Sequence, residues 1–298
     1  MIVNGVRIED TFAEAFGMRA TRLLITAASE RWARIAAESL TGFATSVIAC
    51  GCEAGIERTL SPDETPDGRP GVAVLIFSTS SKELQKQLMN RVGQCVLTST
   101  SSACFAGMEA EERLKLGGAL RYFGDGFQIS KRIAGKRYWR IPVMDGEFLC
   151  EDNVGMIKGV GGGNFLVLAT SHAAALASCE AAVAAMRKIP NVIMPFPGGM
   201  VRSGSKVGAK YKGMIASTND AYCPTLRGAT RSALDENIGA VLEIVIDGLT
   251  PADISAAMRA GITAACASGT AGGVRAITAG NYGGKLGQFH FKLREIMA

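Results

Sequence analysis

The alternation of apolar and polar positions in the first hundred residues predicts a repeating arrangement of strands and helices. Apolar runs short enough for strands lie at 22–27, 44–50, 72–77 and 95–99. Ser29, after the first run, is a typical N-cap residue for a helix. After the third run, Ser80 and Glu83 have the S-x-x-E spacing of a capping box. The predicted order of elements is therefore βαββαβ.

The same order returns in the second half of the chain. Apolar runs typical of strands lie at 164–170, 191–194, 241–249 and 274–278. Ser171 precedes an alanine-rich helix, and Thr250 precedes a second helix with Pro251 at its first position. The second half therefore also predicts a βαββαβ series.

The two halves share local sequence as well as element order. The helix starts SSKEL and TPADI align at a constant offset, which places Ser80 opposite Thr250. Because βαββαβ is the order of the ferredoxin-like fold, we predict an α+β protein of two ferredoxin-like lobes related by duplication. The predicted lobes are residues 1–146 and 147–298. A hairpin-rich insertion is expected at 100–160, with turns at Gly135 and at Asp145-Gly146.

One predicted strand, VLEIVIDGL, places a carboxylate among valines. Leu242, Ile244 and Ile246 share one face, while Val241, Glu243 and Val245 share the other. At the constant offset between the halves, the counterpart of Glu243 is the apolar Ala73. Most strand glutamates face solvent or pair with a neighbouring cation. Glu243 is therefore either the wet face of an edge strand or a carboxylate that chemistry requires.

Three glycine-dense segments, at 158–165, 195–210 and 278–289, allow close approach of a ligand to backbone N–H donors. None completes a phosphate-binding loop or a dinucleotide fingerprint, so nucleotide cofactors are not indicated. Polar residues in or beside these segments are Ser205, Lys206, Lys210, Asn219, Asp220, Asn281 and Lys285. They are candidates for binding carboxylate or phosphate groups, and the alternative is solvated side chains in surface turns.

Composition removes several classes of function. The 32 Lys and Arg against 27 Asp and Glu give a net charge of only +5 without charge blocks, so nucleic-acid binding is not indicated. Eight cysteines without a C-x-x-C pair favour a reducing compartment. The only histidines, His172 and His290, exclude a zinc site built on several histidines, and both are expected to be structural. Without a secretory signal or an apolar membrane segment, we expect a cytoplasmic protein.

Several multi-residue motifs, in order, resemble one known family. They are TGFATSVIACGCEAGIE, ETPDGRPG, GGGNF, PFPGG, SGSKVG, STNDAYCPT and TAGNYGGKLGQF. Essentially the whole chain is similar to formylmethanofuran:tetrahydromethanopterin formyltransferases. The resemblance implies an enzyme that moves a formyl group between the primary amine of methanofuran and a ring nitrogen of tetrahydromethanopterin. It also implies these two acidic coenzymes as substrates, no metal or permanently bound cofactor, and a homotetramer.

The resemblance assigns a role to Glu243. The family's catalytic glutamate lies in a YEIVI-type strand, which is LEIVI here with Leu242 in place of the aromatic residue. Formyl transfer between two amines passes through a tetrahedral intermediate, and a carboxyl group can shuttle the proton. Apolar neighbours are expected to raise its pKa toward neutrality. The loop lysines are expected to contact the acidic tails of the coenzymes, and backbone N–H groups of the glycine loops to stabilise the oxyanion.

Two other interpretations stay open from the sequence. A similar polypeptide is part of a bacterial formyltransferase/hydrolase complex that oxidises formaldehyde to formate. Alternatively, the chain keeps the fold as a catalytically inactive pterin-binding or structural subunit, because fold does not fix function. A nucleic-acid role has little support because the aromatic signature of RNA-recognition strands is absent.

Overall fold

The computed structural model describes all residues from 1 to 298. Its contacts divide the chain into a middle unit, residues 18–159, and a terminal unit, residues 1–17 with 160–298. These bounds differ from the predicted division of the sequence after residue 146. The reason lies in strand pairing, because Gly146–Glu151 forms an antiparallel hairpin with the strand before it and so stays in the middle unit.

The middle unit contains one sheet of seven strands. In spatial order these are Glu53–Leu60, Gly71–Ser78, Phe12–Thr26, Ala103–Ala106, Gly146–Glu151, Lys136–Val143 and Ile129–Ile133. Its longer helices are Glu30–Thr41 and Ser81–Arg91, and its short helices are Val47–Cys50, Pro62–Glu64, Val92–Val96, Gly117–Leu120 and Arg121–Gly124. Arg113–Lys115 and Asn153–Gly155 form a separate antiparallel pair. The hairpin expected around Gly135 is confirmed.

The terminal unit contains a second series of paired strands. In spatial order they are Ile2–Val3, Val6–Ile8, Val274–Thr278, Ile157–Ala169, Ala240–Gly248 and Val192–Ile193. Phe289–Lys292 pairs with the first residues of Phe12–Thr26, and Lys206–Val207 pairs with Ala216–Ser217. The helices are His172–Met186, Pro251–Ala265 and Leu293–Met297, with short turns at Pro197–Gly199, Asp220–Tyr222 and Pro224–Leu226. Helices and sheets of mixed direction confirm the α+β class.

Strand order is the same in the two βαββαβ series. In each unit the first and third strands of the series are neighbours, the fourth lies beside the first, and the second lies beside the third. All of these pairs are antiparallel. The order of paired strands therefore repeats, with the second and fourth strands of the first series at Glu53–Leu60 and Ala103–Ala106 and not at the predicted 44–50 and 95–99.

Predicted helix starts are confirmed at the level of hydrogen bonds. The side chains of Ser80, Ser171 and Thr250 each accept an N–H three residues later, at 3.2 Å in every case. Each bond satisfies one of the backbone donors that the first turn of a helix leaves unpaired. Ser29 also occupies the N-cap position of its helix, but its side chain makes no capping bond. None of the helices combines the length and the apolar character needed to cross a membrane.

Two predicted strands are wrong, and so is one predicted loop. The run 44–50 contains the short helix Val47–Cys50, which Ser46 opens by accepting the Ile48 N–H. The run 95–99 overlaps a π-helical turn that continues the preceding helix. Short apolar runs fit either structure, and periodicity alone does not separate them. The glycines at 158–165 lie within the strand Ile157–Ala169 and not in a loop.

Packing in the terminal unit fixes which face of Ala240–Gly248 is presented away from the helices. Leu242, Ile244 and Ile246 are at most 6% exposed and join the core formed with Ile254 and Ile262 of the helix Pro251–Ala265. Burying such a side chain stabilises the fold by about 1.5–3 kcal/mol relative to exposing it. The strand is therefore held with its other face, which includes Glu243, directed away from this core.

Candidate active site around Glu243

Glu243 lies on a strand that is paired along both edges. Val201 exchanges two hydrogen bonds with it, since the Val201 N–H donates to the Glu243 carbonyl at 2.7 Å and the Glu243 N–H donates back at 3.0 Å. On the other side its register partner is Leu166. The backbone of Glu243 is thus fixed, and it is not on an edge strand.

A narrow cavity of about 30 Å³ adjoins the Glu243 side chain. It is lined by Leu166, Val201, Arg202, Ser203, Gly204, Asn219, Tyr222, Cys223, Val241 and Glu243. Its volume is close to that of a single water molecule. The wall is mixed, because the buried Leu166 and Val201 lie in it together with polar side chains such as Arg202 and Asn219.

The electrostatic state of Glu243 follows from this environment. No protein donor or cation is bonded to its carboxylate in the structure, and burial raises its pKa from 4.5 to about 7. Loss of hydration disfavours the ionised form, and nothing bonded to the side chain compensates. Both the protonated and the ionised forms are therefore populated near neutral pH, which is the condition for proton transfer in both directions.

The segment from 203 to 223 contains five of the predicted binding residues. Asn219 lines the cavity beside Glu243. Lys206 is already paired with Asp220, and this hydrogen bond lowers the pKa of the Asp220 carboxyl. Lys210 is exposed, and its charge makes a smaller contribution to the same lowering. The Ser205 side chain acts to lower the pKa of Tyr282, a residue that the sequence did not single out.

The other two predicted residues lie in the segment 278–289. Asn281 donates its amide hydrogens to the Thr11 hydroxyl and to the Phe12 carbonyl, both at 3.2 Å, so its side chain fixes the loop. Lys285 is exposed and has no ion-pair partner. Of the seven predicted binding residues, Lys210 and Lys285 are therefore the exposed cations without a direct carboxylate partner.

Four backbone N–H groups of this loop are occupied by a carboxylate of the same chain. Tyr282, Gly284, Leu286 and Gly287 all donate to Glu14, at 2.6–2.8 Å. Glu14 is 1% exposed. Burial alone raises the pKa of its carboxyl, but these four bonds outweigh that effect and lower it to about 2. These particular donors are therefore not available to the oxyanion, contrary to the expectation for this loop.

Glu14 and Tyr282 are the residues that sequence reasoning missed. The glycine density of the loop did signal backbone donors that require an anion, but the anion is supplied from a distant part of the chain. Burial raises the pKa of Tyr282, and the nearby charge of Glu243 raises it further, while the Ser205 side chain opposes both. Tyr282 therefore lies in the electrostatic neighbourhood of Glu243.

The histidine and cysteine side chains are not arranged as a metal-binding site. No cluster of three or more His, Cys, Asp or Glu side chains is arranged to hold a metal ion. His172 is the first residue of its helix, and His290 lies on the strand Phe289–Lys292, with its ring centroid 4.9 Å from that of Phe12. All eight cysteines are free.

Comparison with known proteins places this site in a family. A model described as formylmethanofuran-tetrahydromethanopterin formyltransferase matches residues 1–143, and a model described as its proximal lobe matches residues 146–296. Formylmethanofuran–tetrahydromethanopterin formyltransferase of Methylococcus capsulatus is 70% identical over the full length of both chains. One of the subunits of the formyltransferase/hydrolase complex of Methylorubrum extorquens is 58% identical, over 99% of this chain and 97% of that one.

A solved structure agrees with these sequence matches. The crystal structure of the formyltransferase/hydrolase complex of Methylorubrum extorquens with methylofuran contains a similar chain. The two chains superpose with a TM-score of 0.98 at 56% identity, over 100% of this chain and 99% of that one. This chain therefore belongs to the formylmethanofuran–tetrahydromethanopterin formyltransferase family.

Proposed function

We propose that this enzyme transfers a formyl group directly between formylmethanofuran and tetrahydromethanopterin, with Glu243 as the acid/base. The observation that supports the role of Glu243 is a carboxyl group beside a cavity, without a bonded cation, whose pKa is raised by burial to about 7. Strongly perturbed carboxyl groups in cavities are concentrated at functional sites. Together with family membership, this observation favours catalysis over a structural role.

The chemistry requires one proton to leave and one to arrive. The accepting nitrogen attacks the formyl carbon, and the carbonyl oxygen becomes an oxyanion in a tetrahedral intermediate. Ionised Glu243 takes the proton from the attacking nitrogen. It then gives this proton to the departing nitrogen as the original bond between that nitrogen and the formyl carbon breaks. Proton transfer by a positioned side chain accelerates such reactions by about 10²- to 10⁴-fold. The carboxyl returns to its starting state, so no net proton is consumed.

We propose two groups of substrate-binding residues. Asn219 lines the cavity, and Ser205 follows Gly204, which also lines it. Both are therefore placed to orient the reacting groups. Lys210 and Lys285 are exposed cations for the acidic tails of the coenzymes. Lys206, Asp220 and Asn281 contribute indirectly, because their side chains are bonded to other protein groups.

We further propose that the fold consists of two ferredoxin-like lobes, residues 1–146 and 147–298, that arose by duplication. The shared strand order of the two βαββαβ series supports this. The alignment of Ser80 with Thr250 as N-caps at a constant sequence offset is a second support.

For its assembly we propose a cytoplasmic homotetramer. The alternative, that the chain is one component of a formyltransferase/hydrolase complex, is favoured by its 58% identity to a subunit of such a complex. Native mass and co-purification from the source cells distinguish the two. A homotetramer without other polypeptides supports the free enzyme, and stoichiometric additional subunits support the complex.

Replacement of Glu243 tests the proposed reaction. Purified protein is given formylmethanofuran and tetrahydromethanopterin, and formyl-tetrahydromethanopterin is followed by absorbance. We expect Glu243→Gln to lower kcat by about 10²- to 10⁴-fold, because glutamine cannot transfer a proton. Glu236→Gln, at an exposed position of the same unit, is the matched control and keeps wild-type turnover. Near-normal kcat in a folded Glu243→Gln protein rejects the acid/base role.

The same assay separates catalysis from binding alone. A folded wild-type protein that binds tetrahydromethanopterin but forms no product supports the inactive pterin-binding interpretation and rejects the transferase.

A further inference from the structure

The Glu14 carboxylate is a built-in anion for the glycine loop. Its two oxygens each accept two backbone N–H groups, with Oε2 bonded to Tyr282 and Gly284 and Oε1 to Leu286 and Gly287. Hydrogen bonds to an ionised acceptor are about twice as strong as those between neutral groups. Four such bonds to a side chain that is 1% exposed make Glu14 the centre of the loop's conformation.

The loop sequence is matched to this carboxylate. Gly283 and Gly284 have φ values of +78° and +72°, which side-chain-bearing residues adopt only with strain. At Gly287, a Cβ atom would overlap the carbonyl oxygen of Ala15. These glycines therefore let the backbone wrap around Glu14, a function different from binding an external ligand.

The wrapped loop fixes the backbone of Tyr282, whose side chain lies in the electrostatic neighbourhood of Glu243. Tyr282 donates its own N–H to Glu14, and its ring centroid lies 6.1 Å from that of Phe16. Ser205, whose side chain acts on the pKa of the Tyr282 hydroxyl, follows Gly204, one of the residues that line the cavity beside Glu243. The residue is 37% exposed, so it is accessible to a ligand as well as to the protein.

We infer that Tyr282 is a further functional residue of the Glu243 site and that Glu14 is its positioning residue, acting through the loop 282–287. This inference rests on the proposed formyl transfer at Glu243. The Tyr282 hydroxyl orients a polar group of the reacting coenzymes, and Glu14 acts without touching substrate. Tyr282 is thus assigned to transition-state or substrate orientation, where a misplacement of about 1 Å lowers the rate strongly.

The Glu14 carboxylate is expected to hold the loop in the same way throughout the pH range of the assay. Because its pKa is about 2, the carboxyl stays ionised at every pH at which the enzyme is assayed. The titratable and charged groups around the loop are Glu14 itself, Glu243, the loop's own Lys285 and His290, whose ring lies beside Gly284. A pH dependence of turnover near neutrality therefore does not come from the Glu14 anchor.

A set of five variants tests the inference. The proteins are Glu14→Gln, Glu14→Asp, Tyr282→Phe, the double variant of Glu14→Gln with Tyr282→Phe, and Glu236→Gln as the exposed control. Hydrogen exchange of the peptide that contains 282–287 is measured without substrates, and kcat and KM are measured in the formyl-transfer assay. Glutamine offers one acceptor oxygen in place of two, so two of the four N–H groups lose their acceptor.

The expected results differ from those of general destabilisation. In Glu14→Gln, the amide hydrogens of the loop are expected to exchange at least about tenfold faster than in the wild type. The exchange rates of other peptides stay unchanged, as for a local opening. Glu14→Gln and Tyr282→Phe each lower kcat about tenfold, and the double variant is no more than about twofold below the lower single variant, because coupled residues are non-additive. Glu14→Asp, which keeps the charge, recovers part of kcat.

Four outcomes overturn the inference, and each is distinct from failure of the proposed reaction. Unchanged loop exchange in Glu14→Gln rejects the anchor, whatever the activity. Faster exchange with normal kcat rejects the positioning role. Losses that multiply in the double variant to about a hundredfold show independent residues. If Glu14→Gln fails to fold, normal kcat in Tyr282→Phe still overturns the inference. An inactive wild-type protein rejects the proposed formyl transfer and with it the role of Tyr282.

Discussion

Two carboxylates of the terminal unit, Glu14 and Glu243, have opposite chemistry although both lie on strands. The pKa of Glu14 is lowered to about 2, and that of Glu243 is raised to about 7. Burial acts in the same direction on both. The difference is that Glu14 accepts four backbone N–H groups, while no protein donor is bonded to the Glu243 carboxylate.

This difference teaches how one residue type serves two purposes within one unit. A carboxylate with its hydrogen-bonding capacity satisfied is a permanent anion and is suited to hold backbone in place. A carboxylate without donors in apolar surroundings exchanges its proton near neutral pH and is suited to catalysis. Donor count, more than depth of burial, therefore separates the anchor from the candidate catalyst.

The pH dependence of turnover is the most direct way to break this comparison. Since the proposed cycle starts with ionised Glu243, we expect kcat/KM to fall about tenfold per pH unit below a pKa of about 7. Glu14→Asp keeps the inflection, because Glu14 is ionised throughout this range. Glu243→Gln loses the inflection in its residual activity. An inflection that moves in Glu14→Asp and persists in Glu243→Gln would reverse the assignment of the two residues.

Stability gives a second test, because Glu243→Gln and Glu14→Gln are expected to change the free energy of unfolding in opposite directions. A raised pKa means that the ionised form destabilises the fold, so the contribution of Glu243 is favourable below pH 4.5 and is lost as pH rises through 7. We expect Glu243→Gln to raise the free energy of unfolding by about 3 kcal/mol at pH 8 and by less than about 1 kcal/mol at pH 5.

The contribution of Glu14 to stability depends on pH in the opposite way. Its lowered pKa means that its contribution is present above pH 4.5 and is lost as pH falls toward 2. Glu14→Gln leaves backbone donors without an acceptor, so we expect a loss of about 2 kcal/mol at both pH 5 and pH 8. Urea unfolding at one protein concentration measures both variants. If the two variants move the unfolding midpoint in the same direction at pH 8, the contrast between the residues is wrong.

The sequence contained the information for one of these carboxylates and not for the other. Glu243 interrupts a regular alternation, and its counterpart Ala73 is apolar, so a local pattern is enough to single it out. Glu14 is one polar residue in FAEAF, and its four partners are 268 to 273 positions away. No local pattern predicts which distant loop a carboxylate will meet.

The same limit explains the accuracy of the fold prediction. Helix starts depend on contacts within four residues, and Ser80, Ser171 and Thr250 were predicted correctly. The runs 44–50 and 95–99 were wrong because a short apolar stretch is buried equally well as a strand or as a helical turn. The bounds of the compact units depend on long-range strand pairing, which periodicity does not contain.

The exposed lysines give the smallest expected effect and sharpen the role of the anchored loop. Lys285 lies on the loop that Glu14 holds and has no carboxylate partner, whereas Lys206 is neutralised in part by Asp220. An exposed ion pair contributes up to about 1 kcal/mol, so Lys285→Ala is expected to raise KM for the acidic coenzymes by about two- to fivefold. Lys206→Ala should raise it less, and kcat should stay within about twofold in both, because neither charge is assigned to the reacting atoms.

Lys188→Ala, at an exposed position two residues after the helix His172–Met186 of the same unit, is the matched control for the loss of one positive charge. High salt should reduce the effect of Lys285→Ala, since the interaction is screened. Equal changes in KM for Lys285→Ala and Lys188→Ala would mean that the net charge of the protein, and not the anchored loop, attracts the coenzymes. The loop would then serve only to present Tyr282, and its conformation would matter for kcat alone.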